Sequence, residues 1–340
     1  MRLRSLSSSK ASRGQGVPPA DYSVVIPTKD RPHLVARLVA ALRAQSRPPK
    51  DVIVVDQSAA PFALEELQQV LAGEGEQSRL IYLHDPKIEG AAAARNAGLF
   101  LAAAPYVIFL DDDALPQPDC LELLVNSLEQ HRHLAAVGAL ISNYSLPPCS
   151  VKFFRRFFYL GTLRDERQAY YWRAGAYRAG EILPTTKLNG GCMAFRREIL
   201  ARIGGFDSRY CGASVGEDIE ITQRLIRFTG RMDAVALVGG ALIHHASEGA
   251  WKNNDRAIEL ELVATHYWFR RNVPWNLANR FRFLWMCVGL FLWSLASAAR
   301  RSNIAPVRRF LAGLDSIRHD YRRCPFLKPQ QTFNHAQPAP

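Results

Sequence analysis

Tyr106-Val107-Ile108-Phe109-Leu110 runs without a break into Asp111-Asp112-Asp113. An apolar run of this length reads as a buried strand, and this one ends in adjacent carboxylates. Like charges packed together raise one another's pKa, so the fold must gain something at that point. A divalent cation is the simplest gain. Oxygen ligands suit Mg²⁺ or Mn²⁺, and such ions commonly bind through one or two carboxylates together with substrate phosphates. The plain alternative is a solvated exit from a strand into a loop.

Upstream of this stretch, short apolar runs alternate with helical patterns. Tyr22–Pro27 reads as a strand. Pro32–Gln45 reads as a helix, with Leu34, Leu38 and Leu42 at helical spacing and Pro32 suited to a first turn. Asp51–Asp56 is a second strand, followed by a helix around Phe62–Leu71. Leu80–Leu83 is a third strand, Ala91–Ala104 a helix of small residues, and Tyr106–Leu110 the fourth strand. Strands alternating with helices predict an α/β chain with a Rossmann-like, mostly parallel sheet. In such sheets ligands bind beyond the carboxyl ends of the strands. The first strand ends at Pro27-Thr28-Lys29-Asp30, the second at Asp56-Gln57-Ser58 and the fourth at the Asp triplet, so all these polar exits are expected on one rim.

Downstream, residues 142–190 are rich in aromatic and basic side chains: Phe153, Phe154, Arg155, Arg156, Phe157, Phe158 and Tyr159, then Tyr170, Tyr171, Trp172 and Arg173. Aromatic faces among cations suit nucleic-acid bases, sugar rings or lipid phosphates. They equally suit packing against the sheet. Asn189-Gly190-Gly191-Cys192-Met193-Ala194-Phe195 reads as a loop entering a strand, and Arg197–Ile203 as a short helix stopped by Gly204-Gly205. Gly216-Glu217-Asp218-Ile219-Glu220 opens a helix whose first-turn acids suit its dipole. Met232–Val238 and Ala241–His245 read as two strands, the second ending in His244-His245. Either imidazole is a plausible metal ligand.

The chain has 340 residues, nearly half of them hydrophobic, enough for a sizeable core and an appendage. Its six cysteines are scattered without a CxxC pair, which argues against a disulfide scaffold or zinc knuckle and fits a reducing compartment. The formal charge of +12 favours anionic partners. No helix-turn-helix, zinc-finger or RNA-recognition signature is present, which disfavours nucleic acid. Residues 1–19 lack an apolar stretch and read as a disordered basic arm rather than a signal peptide. A cytoplasmic location, at the inner face of the membrane, is the expectation. Phe283–Ala299 is apolar or small throughout, with Arg280 and Arg282 before it and Arg300 and Arg301 after it. It is short for a span. Its charged flanks, Trp285 and Trp293 suit membrane-surface contact through residues 283–301, and a buried helix is the competing reading.

The order of these motifs carries a resemblance. Val24-Val25-Ile26-Pro27-Thr28 with Asp30-Arg31-Pro32, then Val54-Val55-Asp56-Gln57-Ser58, Ala94-Arg95-Asn96-Ala97-Gly98 and Leu110-Asp111-Asp112-Asp113 resemble the nucleotide-sugar half of family 2 glycosyltransferases. Gly190-Gly191 through Ile203-Gly204-Gly205-Phe206-Asp207, and Gly216-Glu217-Asp218, resemble the acceptor half. The resemblance covers about residues 22–245. It implies a GT-A fold over 20–250, divided near residue 141; the composition beyond it reads as a helical region over 251–305 and a basic tail over 306–340. It also implies inverting transfer with Mg²⁺ or Mn²⁺ from a nucleotide-sugar donor, UDP by default, to a carbohydrate or lipid-linked acceptor in polysaccharide or glycolipid synthesis.

Carried over by position, Pro27, Thr28 and Asp30 line the nucleotide pocket and Asp56 meets the base. Arg95 approaches base or phosphates. Asp111 meets ribose or metal, Asp113 coordinates the metal, and Asp112 is the middle residue of the motif. His245 or its neighbour His244 offers a further metal or diphosphate contact, and Asp218 is the general base. Gln57 stands where the family usually has a shorter polar residue. Rival readings remain: a haloacid dehalogenase-like phosphohydrolase using Asp111 and Asp113, and a non-catalytic basic nucleic-acid-binding protein.

Overall fold

A computed structural model describes residues 21–63, 78–145, 148–160, 167–211, 216–246, 256–322, Cys324 and Leu327. The basic arm and most of the helix expected at Phe62–Leu71 lie outside them.

The strands β1 (Tyr22–Thr28), β2 (Asp51–Asp56), β3 (Arg79–His84) and β4 (Tyr106–Leu110) lie where the apolar runs place them. They pair in parallel in the order β3-β2-β1-β4. Every residue of β1, β2 and β4 is buried, as expected for strands covered on both faces. Helix α1 (Pro32–Arg43) covers one face with Leu34, Leu38 and Leu42. Helix α2 (Ala91–Leu101) packs on β1 and β2. Its small residues allow a close approach: a Cβ on Gly98 would fall 2.2 Å from Val25 Cγ1.

Beyond β4 the sheet becomes mixed. β5 (Ala114–Pro116), helix α3 (Cys120–Gln130) and β6 (Ala136–Ile141) follow in the chain. Then come helices α4 (Cys149–Phe158) and α5 (Arg167–Trp172), strands β7 (Ile182–Pro184) and β8 (Cys192–Arg196), and helix α6 (Arg197–Arg202). Helix α7 (Glu217–Thr229) leads to β9 (Val235–His245). The full order is β3-β2-β1-β4-β8-β6-β9-β5, with β7 beside β9. β8 runs antiparallel to β4 and β6.

The two strands expected over Met232–Val238 and Ala241–His245 are one. The Gly239-Gly240 pair that reads as a turn is instead a bulge within β9, where Gly240 takes a φ of 77° and the pairing with β6 shifts register. A side chain at Gly240 would also meet Ala179 Cα at 2.9 Å.

Helices α8 (Ala257–Asn272), α9 (Leu277–Arg301) and α10 (Ala305–Arg318) form a separate layer. Their own small core contains Leu262, Phe269, Phe283, Met286, Leu290 and Phe310. The apolar run expected at 283–299 is thus the middle of a longer helix.

The contact at Gly98 predicts that Gly98→Ala costs about 1–3 kcal/mol through overpacking, read as a lowered melting temperature. Restoring space with Val25→Ala should recover part of the loss. An unchanged melting temperature for Gly98→Ala would show that α2 does not need its close seat.

Candidate active site

The parallel register sets the first wall of the site. Thr28 lies beside Asp56, and Asp56 beside His84, at the carboxyl edge of the sheet. Asp56 is fully buried. Its Oδ1 accepts from Ser58 N at 2.9 Å and from the Ser58 hydroxyl, and its Oδ2 accepts from Tyr82 OH at 2.6 Å. Burial, then the bond to Asp56, pushes the Tyr82 phenol up to about 12. Asp30 takes a left-handed φ of 57° and donates its N–H to Ser58 Oγ at 2.7 Å, which ties the exits of β1 and β2 together.

The carboxylates of the Asp triplet point three ways. Asp112 turns inward, accepting from Thr28 Oγ1 at 2.7 Å and pairing with Arg31 Nη1 at 3.1 Å. Burial pushes its carboxyl up to about 6, with Arg31 and Thr28 pulling against that shift. Asp111 pairs with Arg95 Nη2 at 2.7 Å. Asp113 faces His245 Nε2 at 3.1 Å and Arg31 Nη1 at 4.0 Å. Burial opposes ionisation of Asp113, but His245 and Arg31 together hold it below the usual carboxylate range. Burial likewise opposes the charged form of His245, and Asp113 outweighs it, so the imidazole pKa is raised.

His245 is placed by pairing as well as by sequence. Its residue sits opposite Ala114 in the β5–β9 ladder. Its backbone is clamped by Asn143, whose Nδ2 donates to His245 O at 2.8 Å and whose Oδ1 accepts from His245 N at 3.1 Å. Ligand atoms of Asp111, Asp113 and His245 all lie within 4.8 Å of one another. Two carboxylates and an imidazole at that spacing fit Mn²⁺ or Mg²⁺. His244 is exposed and outside this group.

The second acidic cluster arrives from α7. Asp218 is more than a hundred residues from Asp111 in the chain, yet both flank Gly190. A point one Cβ above Gly190 lies 3.8 Å from Asp111 Oδ2 and 4.0 Å from Asp218 Cβ. Asp218 Oδ2 accepts from Gly190 N at 3.2 Å and lies 3.6 Å from Arg167 Nη1. Its Oδ1 accepts from Ile219 N at 2.8 Å.

Arg95 departs from expectation. Its side chain is buried rather than open to a ligand, bridging Asp111 and Glu217 Oε1, the latter at 3.0 Å. Its role in this structure is to hold carboxylates. Sequence reading also missed Arg31, Tyr82, Asn143, Arg167 and Glu217 as partners. Arg31, adjacent to Asp30, and Glu217, adjacent to Asp218, stand in quoted motifs and carried a local signal; Tyr82, Asn143 and Arg167 did not. Pro27 lies in buried β1 beside Val55.

The model of the family described as Glycosyl transferase family 2 matches residues 23–204. The chain belongs to glycosyl transferase family 2. Membership sets aside the phosphohydrolase and nucleic-acid readings and accounts for the mixed GT-A sheet. The chain is 28% identical over 223 residues to pre-mycofactocin glycosyltransferase of Mycobacterium tuberculosis, spanning 64% of this chain and 42% of that protein. It is 26% identical over 192 residues to glucosyl-dolichyl phosphate glucuronosyltransferase of Haloferax volcanii, spanning 55% and 56%. The chain therefore covers about half the length of these curated relatives. Among solved structures, mannosyltransferase PcManGT from Pyrobaculum calidifontis, in complex with GDP-Man and Mn²⁺, aligns with a TM-score of 0.49 at 18% identity. That alignment covers 90% of this chain and 83% of that one.

Glu217 gives a pH signature to this family 2 site. Burial raises its carboxyl to about 7 from 4.5, with Arg95 pulling back. The folded state therefore holds this proton more tightly than the unfolded chain. The resulting stability is complete below pH 4.5 and is lost as pH rises through about 7. Glu217→Gln should flatten that part of the profile, so melting temperature falls less across the interval than in the wild type. Parallel pH profiles would refute the assignment.

Proposed function

We propose that this chain moves a sugar from a nucleoside-diphosphate sugar to an acceptor hydroxyl with inversion at the anomeric carbon. The observation that carries this is the meeting of the two acidic clusters at Gly190. Inverting displacement needs a base on one side of the transferred sugar and charge stabilisation of the leaving diphosphate on the other. Asp218 fits the base. Its carboxylate is oriented by Gly190 N and Ile219 N, and the acceptor hydroxyl would give up its proton there. Asp111, Asp113 and His245 would hold a divalent ion, which as a Lewis acid stabilises charge on the departing diphosphate.

The nucleotide would lie along the exits of β1 and β2. Asp56 Oδ2, which accepts only from Tyr82, keeps one lone pair for a base N–H, whereas Oδ1 already accepts twice from Ser58. Pro27, Thr28 and Asp30 shape the wall beside it. Asp112, enclosed by Thr28 and Arg31, braces that wall, and Arg31, itself partly exposed, adds a cation near the diphosphate. UDP is the default nucleotide by family resemblance. A carbohydrate or lipid-linked acceptor, in polysaccharide or glycolipid synthesis on the cytoplasmic side of a membrane, completes the reading. The archaeal relative, which has glucosyl-dolichyl phosphate in its name, supports the lipid-linked class.

Calorimetric titration of a nucleoside-diphosphate panel, with and without Mn²⁺, tests the donor side. One nucleotide should bind with metal dependence, and Asp113→Ala should abolish that dependence. Binding indifferent to Asp113 would overturn the metal assignment. Asp218→Asn should keep nucleotide affinity while turnover falls by roughly 10²–10⁴-fold. Retained turnover would move the base elsewhere.

A further inference from the structure

A row of aromatic rings crosses the surface between α4 and α9. Phe153 stacks on Phe157 with centroids 6.1 Å apart. Phe157 meets Trp285 edge-on at 5.5 Å, and Trp285 stacks with Phe281 at 6.4 Å. These rings are not core: Phe153, Phe157 and Phe281 are 70%, 48% and 62% exposed. The row continues along α9. Leu284, Val288, Leu292 and Leu295 follow Phe281 at three- and four-residue steps, so they share its face, and all are exposed. Scattered apolar side chains on a surface need no explanation, whereas a contiguous patch marks a contact site.

The opposite face of α9 is already committed. Phe283, Met286 and Leu290 are buried in the C-terminal core. A Cβ on Gly289 would fall 2.4 Å from Phe158 Cγ, so α4 and α9 are in close contact there. Trp285 Nε1 also donates to Phe157 O at 3.1 Å. The 25 residues of α9 are long and apolar enough to cross a membrane. Crossing, however, would strip these contacts with α4, α8 and α10. Held as it is, the helix can offer its free face to a surface without leaving the body of the protein.

Charge selects the occupant. Arg280 and Arg282 flank Phe281 in sequence and, at ~100° per residue, project to either side of the apolar stripe. Arg300 and Arg301 close its far end. On α4, Lys152, Arg155 and Arg156 are exposed beside the two phenylalanines, and neither helix contains an acidic residue. An apolar stripe with Trp at its edge and cations along its margins matches the interface of a bilayer with anionic headgroups. A second copy of the chain would bring like charges together.

We propose that α4 and α9 form one platform that docks the protein on the surface of a bilayer containing anionic lipid, with α9 lying in the interface plane. The proposal is independent of the sugar-transfer reading, since no donor enters its test.

The test is co-sedimentation of the full chain with phosphatidylcholine vesicles and with vesicles containing phosphatidylglycerol. Binding is expected to the anionic vesicles, weakened by salt and released by alkaline carbonate. Phe281→Ser/Leu284→Ser/Val288→Ser should lower that affinity at least tenfold with an unchanged melting temperature. If the triple variant fails to fold, Arg155→Gln/Arg156→Gln, on exposed side chains, decides instead by losing the preference for anionic vesicles. Wild-type protein left in the supernatant would overturn the proposal. So would variants that bind as well as wild type, or a vesicle-free dimer that the same substitutions dissociate. Resistance to carbonate would overturn the surface-lying geometry in favour of a span.

Discussion

Arg95 is a cation removed from water, and the rest of the site is arranged around it. Burying an unpaired guanidinium would cost several kcal/mol, roughly as for any isolated interior charge. Here Asp111 supplies a countercharge, Glu217 supplies an acceptor oxygen that becomes a second countercharge as pH rises through about 7, and Phe206 lies beneath the guanidinium with its ring centroid 5.5 Å from Cζ. Asp111 belongs to the exit of β4, while Glu217 opens α7. Neither half of the protein can satisfy Arg95 alone. The adjacent residue repeats the tie: Asn96 donates to Phe206 O and accepts from Phe206 N, each at 2.8 Å. One turn of α2 thus fixes where α7 begins, and with it the position of Asp218 relative to the Asp triplet.

That constraint also explains how adjacent carboxylates are tolerated at 111–113. Each has its nearest partner in a different direction: Arg95 for Asp111, Thr28 and Arg31 for Asp112, His245 for Asp113, with Arg31 also 4.0 Å from Asp113. Only the outer two share the space that His245 faces. Asp112 contributes by staying inside, where it joins the exit of β1 to that of β4. Truncating it would leave Thr28 without its acceptor and Arg31 with only the longer contact to Asp113, and would loosen the wall along which the nucleotide is proposed to lie.

Much of this was legible in the chain because it rests on local pattern. Buried parallel strands are continuous apolar runs, so β2 and β4 could be bounded to the residue, and the carboxyl-end rule gathered Thr28, Asp56 and the Asp triplet on one rim. What could not be read was long-range pairing. Nothing near Arg95 in sequence announces Glu217, and a buried arginine in a small-residue helix looks the same as one facing a ligand. The break in β9 was misread because Gly-Gly serves a turn and a bulge equally well. Distinguishing them requires knowing that β6 lies alongside. The preference for His245 over His244 follows from strand alternation only once Ala114 is known to sit opposite it. In 142–190 the aromatic residues gave no periodic signal that separated packing from exposure, because α4 uses both faces: Phe154 and Phe158 are partly buried against the C-terminal core, while Phe153 and Phe157 are exposed, Phe157 touching Trp285 at the surface.

The same corner that holds His245 connects the catalytic sheet to the C-terminal helices. Asn143 ties the end of β6 to the end of β9. From β6 the chain reaches the start of α4 within six residues of Asn143, a span of at most about 20 Å. From β9 it proceeds toward α8. Chain length alone therefore keeps the start of α4 within reach of the corner held by Asn143. A platform attached there would set the distance of the rim from any surface it rests on, and a hydroxyl carried by a lipid would meet Asp218 from that surface. On the docking proposed above, the choice of acceptor would rest partly on the height and tilt of α9, outside the residues proposed to perform the transfer.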